Sequence, residues 1–266
     1  MKPGQKTQSV EFCTLKAPLL AVAKEAGRQI MDVYAKGHSK AEIKKDGSPV
    51  TEADRRAESC ILPVLMDLLP GTVIISEENS VSHQIEAPER FWLVDPLDGT
   101  KEFLKRGGEG AFTVNIALIE QRHPVLGVIF APALDRLFYG DVTTGAQEII
   151  GNSDKKIAVS NICGQERLAV TSSSHLNATT QTWLRTQAIT RTKPISSSFK
   201  FCMVATGEAD IYPRFGPTME WDTAAGDAIL RAAGGITTTL NFQPYLYGKA
   251  GYKNTDFIAW NKAPHQ

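Results

Sequence analysis

The first third of the chain contains two segments in which apolar residues recur every three or four positions, as on one face of a helix. The first helix is predicted from about residue 15 to residue 34, and six of its residues share this face: Leu19, Val22, Ala23, Ala26, Ile30 and Val33. The second is predicted to begin at Thr51, because Thr51 and Asp54 resemble a helix-capping pair. It is predicted to end at Pro70-Gly71.

Shorter apolar runs predict strands, and their arrangement differs between the two halves of the chain. In the first half, strands are predicted in TVIIS, RFWLV, FTVNIALIE and PVLGVIFAPALDRLFYG, with RFWLV ending at Asp95-Pro96. In the second half, strands in RLAVTSSS, TKPISS and DIYPRF alternate with helices near residues 179–190, in FKFCMVATGEA and in WDTAAGDAILRAAGG. We therefore predict an α+β half over residues 11–150 and an α/β half over residues 151–266.

Composition narrows the class of protein without identifying it. The chain has 266 residues, 42% of them hydrophobic and 22% charged, which is ordinary for a globular protein. Its formal net charge is zero, so bulk charge predicts no nucleic-acid or membrane-surface partner. No apolar run reaches about 18 residues, so we expect no transmembrane helix. Four scattered cysteines argue against a disulfide framework or a zinc ribbon and predict free buried thiols in a reducing cytosol.

The segment WLVDPLDGTKEF places Asp95 and Asp98 close together at the end of an apolar run. Like charges repel there, and burying either costs about several kcal/mol unless water or a bound cation offsets the charge. Gly99 would let the backbone approach a ligand closely, and Thr100 would supply a hydroxyl where water attacks. Other carboxylates also stand where predicted elements begin or end: Asp54, Glu77, Glu78 and Asp222. Oxygen ligands favour Mg²⁺, and a carboxylate-bridged Mg²⁺ pair is suited to phosphoryl hydrolysis.

Each of these carboxylates also has a purely structural interpretation. Asp222 could be a helix N-cap, and Asp54 could interact with its helix dipole. Glu77 could lie in a solvated loop, and Asp95 before a proline could simply end a strand. The combination at fixed spacing, rather than any single residue, favours a metal-dependent site.

Several motifs are similar to those of a known family. WLVDPLDGTKEF, EWDTAAGDAILRAAGG and the SEE after a predicted strand resemble the inositol monophosphatase superfamily of Mg²⁺-dependent phosphatases. Within it, DGSPVTEAD, SSSFKFCMVATGEAD and YPRFGPT resemble the CysQ-type 3'(2'),5'-bisphosphate nucleotidases, with similarity from about residue 15 to about residue 261. The resemblance implies a layered α-β-α-β-α sandwich of the inositol monophosphatase and sugar phosphatase type, with two or three Mg²⁺ ions bound.

The resemblance also implies roles in the acidic centre. Asp95 would bridge two ions, and Leu97 would contribute its backbone carbonyl to the first. Thr100 and Asp54 would form a hydrogen-bonded pair that positions and deprotonates the attacking water. The implied metal ligands are Glu77, Asp95, Leu97, Asp98 and Asp222.

Groups at the rim of this centre would select the phosphate ester. Lys200 and Arg214 could be an ordinary surface lysine and a loop cation, but an Arg fork suits phosphate and a Lys supplies a point charge. Matching residues lie near the nucleotide in the nucleotidases that the chain resembles. The expected substrate-binding residues are Gly99, Thr100, His175, Ser197, Lys200, Arg214 and Asp222.

Two cations at the rim favour 3'-phosphoadenosine 5'-phosphate (PAP), because its second phosphate needs positively charged partners away from the acidic centre. Inositol monophosphate has no second phosphate and needs no such partners. The products would be AMP and phosphate, and the resemblance places this reaction in sulfur assimilation. Two alternatives stay open: an inositol-1-monophosphatase or sugar phosphatase of the same superfamily, and a non-catalytic nucleotide- or metal-binding module. We expect a cytoplasmic monomer or homodimer whose partner is a small phosphate ester, with peripheral attachment at the inner membrane face left open.

Overall fold

The computed structural model describes residues 12–37, 42–43, 49–105, 111–173 and 177–263. Its α-helices are α1 (Phe12–Lys36), α2 (Glu52–Leu68), α3 (Thr100–Lys105), α4 (Ala178–Thr186), α5 (Phe199–Ala205) and α6 (Ala224–Ala232). Short 3-10 helices lie at Ser82–Gln84, Gly164–Glu166, Glu220–Asp222 and Ala250–Tyr252. A two-stranded antiparallel ribbon consists of β1 (Glu42–Ile43) and β2 (Pro49–Val50). None of the described helices has the length and apolar character that a bilayer crossing requires.

The first sheet has seven strands whose order in space follows the chain. Its strands β3 and β4 are parallel, and every later pair of neighbours is antiparallel. The carboxyl ends of β3 and β4 therefore meet at the same edge of the sheet. The seven strands are β3 (Val73–Ser76), β4 (Arg90–Asp98), β5 (Thr113–Glu120), β6 (His123–Ala131), β7 (Arg136–Asp141), β8 (Gly145–Ile150) and β9 (Ser153–Lys156).

The second sheet is mixed and comes from the second half of the chain. Its strands are β10 (Leu168–Ser172), β11 (Arg191–Ile195), β12 (Ile211–Arg214), β13 (Ile236–Thr238) and β14 (Phe257–Trp260). They are ordered β11-β10-β12-β14-β13. The pairs that β10 makes with β11 and β12 are parallel, and those that β14 makes are antiparallel.

Three hydrophobic clusters hold the elements together in five layers: α1 with α2, the first sheet, α5 with α6, the second sheet, and α4. Along β4, Trp92 and Val94 pack in a cluster with residues of α1 and α2, whereas Phe91 and Leu93 pack in a second cluster with α5 and α6. Successive side chains of a strand point to opposite faces, which explains this alternation. The third cluster joins the second sheet to α4. The predicted α-β-α-β-α sandwich is therefore confirmed.

The first two predicted helices are confirmed as α1 and α2, and Thr51 with Asp54 forms the expected capping box at the start of α2. The first sheet extends to β9, which ends at Lys156, and α6 from the later part of the chain packs against β5, β6 and β7. A division into two domains near residue 150 stays a prediction.

Three expectations from the sequence need correction. The strand RFWLV does not stop at Asp95, because its pairing with β5 resumes at Asp98 after an irregularity in register. The helix predicted in WDTAAGDAILRAAGG is broken at Thr223, which separates a 3-10 helix from α6. Of the four free thiols, Cys202 is buried and Cys60 partly buried, while Cys13 and Cys163 are exposed.

Two glycines of the first sheet allow α6 to pack close to its backbone. A Cβ added at Gly127 of β6 would lie 2.3 Å from the Ala225 carbonyl oxygen, and one at Gly140 of β7 would lie 2.8 Å from the Ile229 Cα. Contacts this short with backbone atoms leave no room for a side chain. Since only Thr223 separates Asp222 from α6, this packing also fixes where that carboxylate lies.

We predict that Gly127→Ala lowers the free energy of unfolding by about 3 kcal/mol, at the upper end of overpacking costs, because backbone has to move. Gly151→Ala is the control, since nothing lies within 4 Å of its added Cβ. Its positive φ of 60° adds only about 1 kcal/mol of strain. Urea denaturation of the two variants measures the difference, and equal losses would contradict the close-packing explanation.

Candidate metal centre and active site

Parallel pairing of β3 and β4 brings Glu77 beside Asp95. Ser76 and Val94 are paired in register, and the backbone N–H of Glu77 donates to the Val94 carbonyl at 3.1 Å. The residue after each paired position is a carboxylate. Strand register alone therefore juxtaposes two acidic side chains that are well separated in sequence.

The third carboxylate, Asp222, ends the 3-10 helix that precedes α6. Its Oδ2 accepts the backbone N–H of Met219 at 2.8 Å. The Asn254 side-chain amide donates to the Met219 carbonyl at 2.6 Å and to the Thr223 hydroxyl at 3.0 Å. Asp222 is therefore not the helix N-cap that its structural interpretation proposed: the N-cap of the 3-10 helix is Met219, and Asp222 is the third helical residue, whose carboxylate accepts the N–H of Met219. One ligand oxygen each from Glu77, Asp95 and Asp222 lies within 4.8 Å of the other two.

The irregular end of β4 brings further oxygen atoms into the cavity that contains the three carboxylates. Leu97 donates its backbone N–H to Asp95 Oδ1 at 3.0 Å, and its carbonyl lies 3.1 Å from Thr100 Oγ1. Asp98 Oδ2 accepts the backbone N–H of Ser198 at 2.6 Å. The Ser198 hydroxyl in turn donates to Asn115 Oδ1 at 2.5 Å, which joins α5 to the first sheet beside the acidic residues.

Burial and mutual repulsion shift the titration of these carboxylates. The pKa of Asp95 and of Asp222 lies well above the ordinary value, mainly through burial and then through neighbouring negative charges. Burial raises the pKa of Asp98 to about 6, against the opposing effect of Lys200. The donor set is entirely oxygen and its charge is poorly compensated, so these residues fit a hard divalent cation.

Thr100 and Asp54 meet next to this cluster. Thr100 Oγ1 lies 3.4 Å from Asp54 Oδ1, while Asp54 Oδ2 accepts the backbone N–H and the hydroxyl of Thr51, both at 2.7 Å. Asp54 is 1% exposed, and burial raises its pKa. One oxygen of this carboxylate caps α2 and the other faces Thr100.

A cavity of about 750 Å³ is lined by Thr100, by the proposed metal ligands and by most of the expected substrate-binding residues, but not by Asp54. Gly99 has φ 91° and Ser197 has φ 54°, and both line the cavity. Arg214 also lines it, with one Nη2 bond of 3.0 Å to the Pro217 carbonyl and a buried Nε that finds no hydrogen-bond partner among the described residues. His175 falls outside the described residues.

Lys200 also lines the cavity, but it is not a surface residue, so that alternative was wrong. It is 4% exposed, and its Nζ donates to the carbonyls of Ser197 at 2.5 Å and Ile195 at 3.3 Å. Burial lowers its pKa to about 8, against the opposing charge of Asp98. Lys200 therefore supports the Ser197 turn while placing positive charge beneath the cavity.

Sequence reasoning missed several residues of this region. Four polar residues that were not expected line the cavity: Ser172, Ser173, Asn177 and Ser196. The two runs of three serines, at 172–174 and 196–198, were the available signal. Three further residues support the carboxylates and are marked by no local sequence pattern. Ser198 donates its N–H to Asp98, Asn115 accepts the Ser198 hydroxyl, and Asn254 bonds the residues on either side of the Asp222 turn, Met219 and Thr223.

We predict that the metal-free protein loses stability as pH rises from about 5.5 to 8. The folded-state pKa values of Asp95, Asp98 and Asp222 are raised, so the stability linked to their protonation is present below the unfolded value near 4. It is lost as pH passes the folded value, about 6 for Asp98. Urea unfolding in EDTA should show a decrease of about 1 kcal/mol or more, to which Asp98 contributes most of the first kcal/mol.

Saturating Mg²⁺ should remove most of this decrease, and Asp98→Asn, which cannot titrate at that position, should reduce it in EDTA. Stability that instead rises with pH over this window in EDTA would contradict the electrostatic description.

Comparisons with known proteins agree with the motifs. The model of the inositol monophosphatase family matches residues 14–265. The 3'(2'),5'-bisphosphate nucleotidase CysQ of Salmonella typhimurium is 48% identical over 216 residues, covering 80% of this chain and 85% of that protein. The CysQ of Buchnera aphidicola is 42% identical over 243 residues, covering 90% of each. The crystal structure of CysQ from Bacteroides thetaiotaomicron has a TM-score of 0.78 at 35% identity, covering 92% of this chain and 97% of that one. The chain therefore belongs to the inositol monophosphatase family, as its motifs predicted.

Proposed function

We propose that the chain is a Mg²⁺-dependent 3'(2'),5'-bisphosphate nucleotidase that hydrolyses the 3'-phosphate of PAP to AMP and phosphate. The observation that supports this best is the presence of Arg214 in the cavity that also contains Glu77, Asp95 and Asp222. A carboxylate cluster suits one phosphate through a cation, and a guanidinium suits the other directly. The names of the CysQ relatives support the same substrate class.

The proposed metal ligands are Glu77, Asp95, the Leu97 carbonyl, Asp98 and Asp222, which would hold two or three Mg²⁺ ions. When bound, the metal supplies charge stabilisation at the phosphoryl oxygens and lowers the pKa of water. The backbone N–H of Ser198 fixes Asp98 through Oδ2, so we propose Oδ1 as its ligand atom. The backbone N–H of Met219 likewise fixes Asp222 through Oδ2, and the Asn254 amide holds the Met219 carbonyl in the same turn.

Thr100 and Asp54 are proposed to move the proton of the attacking water. A Thr100 hydroxyl that donates to Asp54 Oδ1, 3.4 Å away, presents its lone pairs to water. The raised pKa of Asp54 suits it to receive a proton from Thr100. Asp54 is 1% exposed, so bulk water does not compete with Thr100 for its carboxylate.

The substrate itself is proposed to contact Gly99, Ser197, Arg214 and, outside the described residues, His175. Lys200 would contribute charge from below the Ser197 turn, where its Nζ is held by two carbonyls. The positive φ of Gly99 turns the chain sharply into α3 beside the carboxylates. A cytoplasmic location and a monomeric or dimeric state stay predictions.

A substrate panel tests the proposal directly. Phosphate release from PAP, its 2'-phosphate isomer, inositol 1-phosphate and fructose 1,6-bisphosphate should give the highest kcat/KM for the bisphosphorylated nucleosides. Higher kcat/KM for inositol 1-phosphate would favour the inositol phosphatase alternative. No Mg²⁺-dependent release from any of the four would favour a non-catalytic module.

We predict that Asp98→Asn folds but loses at least about 10²-fold in kcat for PAP, because the amide keeps the shape and removes the charge. Asp141→Asn is the matched control, since Asp141 is also buried and accepts backbone N–H groups, of Thr143 and Thr144, at a turn outside the cavity. The control should retain its kcat even if its melting temperature falls. Near wild-type turnover of Asp98→Asn in saturating Mg²⁺ would contradict the metal-ligand role.

We predict that Arg214→Ala lowers kcat/KM for PAP by about 10- to 100-fold, the scale of a charge-assisted pair of about 1.5–3 kcal/mol. Activity on inositol 1-phosphate should change little, because this ester has no second phosphate. Arg214→Lys keeps the charge without the fork and should fall between wild type and alanine. Equal losses on both substrates would place Arg214 at the cleaved phosphate or in the scaffold.

A further inference from the structure

His83 lies in the 3-10 helix that follows the Glu77 turn, outside the cavity, and it touches the neighbours of two carboxylates. We propose that His83 is a positioning residue that sets the separation of Glu77 and Asp222 and thereby the metal affinity of the acidic cluster. The inference rests on the metal role proposed above for these carboxylates. It concerns a side chain that no sequence motif singled out.

On one side, His83 fixes the residue before Glu77. Its Nε2 lies 2.8 Å from the Ser76 carbonyl oxygen. A carbonyl only accepts hydrogen bonds, so Nε2 carries the hydrogen and donates it. The Ser76 backbone N–H donates to the Ser82 hydroxyl at 3.2 Å, and the Ser76 hydroxyl donates to Glu58 of α2. Every polar group of Ser76 is therefore held, and the direction of the chain into Glu77 is set.

On its other side, the His83 ring stacks on the residue before Asp222. The ring centroids of His83 and Trp221 are 4.6 Å apart, with an interplanar angle of 28°. Trp221 is 4% exposed, so its indole is fixed by the core beneath it. Stacked aromatic pairs of this geometry add stability beyond the area that they bury.

One imidazole thus connects the turn of Glu77 to the turn of Asp222, which come from different parts of the fold. The two carboxylates repel each other when no cation lies between them, which favours separation of the turns. A clamp that opposes this separation pre-organises the oxygens for a cation. Its loss should weaken metal binding more than it slows turnover at saturating metal, because the clamp touches neither the substrate nor Thr100.

Three variants separate the two contacts. His83→Phe keeps a ring for stacking and loses the hydrogen bond, His83→Gln keeps an N–H donor and loses the ring, and His83→Ala loses both. Mn²⁺ binding to the full chain without substrate is measured by electron paramagnetic resonance, and the Mg²⁺ dependence of phosphate release from PAP is measured in parallel.

We expect His83→Ala to raise the Mn²⁺ dissociation constant and the half-saturating Mg²⁺ concentration by about 10-fold or more, the usual range for residues that support metal ligands. His83→Phe and His83→Gln should each give a smaller rise. The kcat at saturating Mg²⁺ and the KM for PAP should stay within about two-fold of wild type.

Thr238→Val is the control for a general loss of stability. Thr238 is buried in the second sheet, and its hydroxyl accepts the Trp260 indole N–H at 3.1 Å, so the variant loses one buried hydrogen bond away from the cavity. It should bind Mn²⁺ as wild type does. Unchanged Mn²⁺ affinity in the His83 variants, or an equal loss in Thr238→Val, would overturn the inference. A wild-type protein that binds no Mn²⁺ would overturn the proposed metal site itself, which is a different result.

Discussion

Three carboxylates that repel one another, those of Glu77, Asp95 and Asp222, have oxygens within 4.8 Å of each other, and much of the surrounding backbone maintains this arrangement. Burial is the main reason that the pKa values of Asp95 and Asp222 are raised, and neighbouring negative charge adds to it. Such a cluster opposes folding in the absence of a cation. Its geometry must therefore be imposed by the packing and hydrogen bonding of the backbone, since the side chains themselves favour separation.

Two structural features fix the three carboxylates. Parallel pairing of β3 with β4 sets Glu77 beside Asp95, and it depends on the apolar residues that cover both faces of these strands. Close packing of α6 against Gly127 fixes the position of the turn that carries Asp222. Because all of these contacts involve rigid elements, the oxygens are positioned before any ligand arrives, which is the arrangement that favours tight binding of a small cation.

The sequence was informative where the residues of one functional feature lie close together along the chain. Asp95 and Asp98 stand in one short segment, and the capping pair of Thr51 and Asp54 spans a single helical turn, so their spacing could be interpreted without the fold. The alternation of elements indicated an α+β half and an α/β half, and the resemblance implied the five layers. The break of the last helix at Thr223 was not predicted, because its residues are compatible with a continuous helix.

The supporting residues were not predictable for a physical reason. Ser198 and Asn254 are ordinary polar residues whose roles arise only when distant segments meet. The surface alternative for Lys200 rested on the usual exposure of lysines, although every other residue of its helix, FKFCMVA, is apolar. In the fold, α5 lies between the two sheets and every residue from Phe199 to Ala205 is buried. The burial of a lysine there is tolerated because two carbonyls and the charge of Asp98 compensate it.

The structural and chemical interpretations of Asp54 are compatible, and the first supports the second. Two hydrogen bonds from Thr51 to Oδ2 fix the plane of the carboxylate, which directs Oδ1 at Thr100. The Thr100 hydroxyl has one hydrogen and two neighbouring acceptors, Asp54 Oδ1 at 3.4 Å and the Leu97 carbonyl at 3.1 Å. Only a hydroxyl that donates to Asp54 can pass a proton to it. In the proposed function the Leu97 carbonyl is a metal ligand, so metal binding and the direction of this hydrogen bond are coupled through one atom.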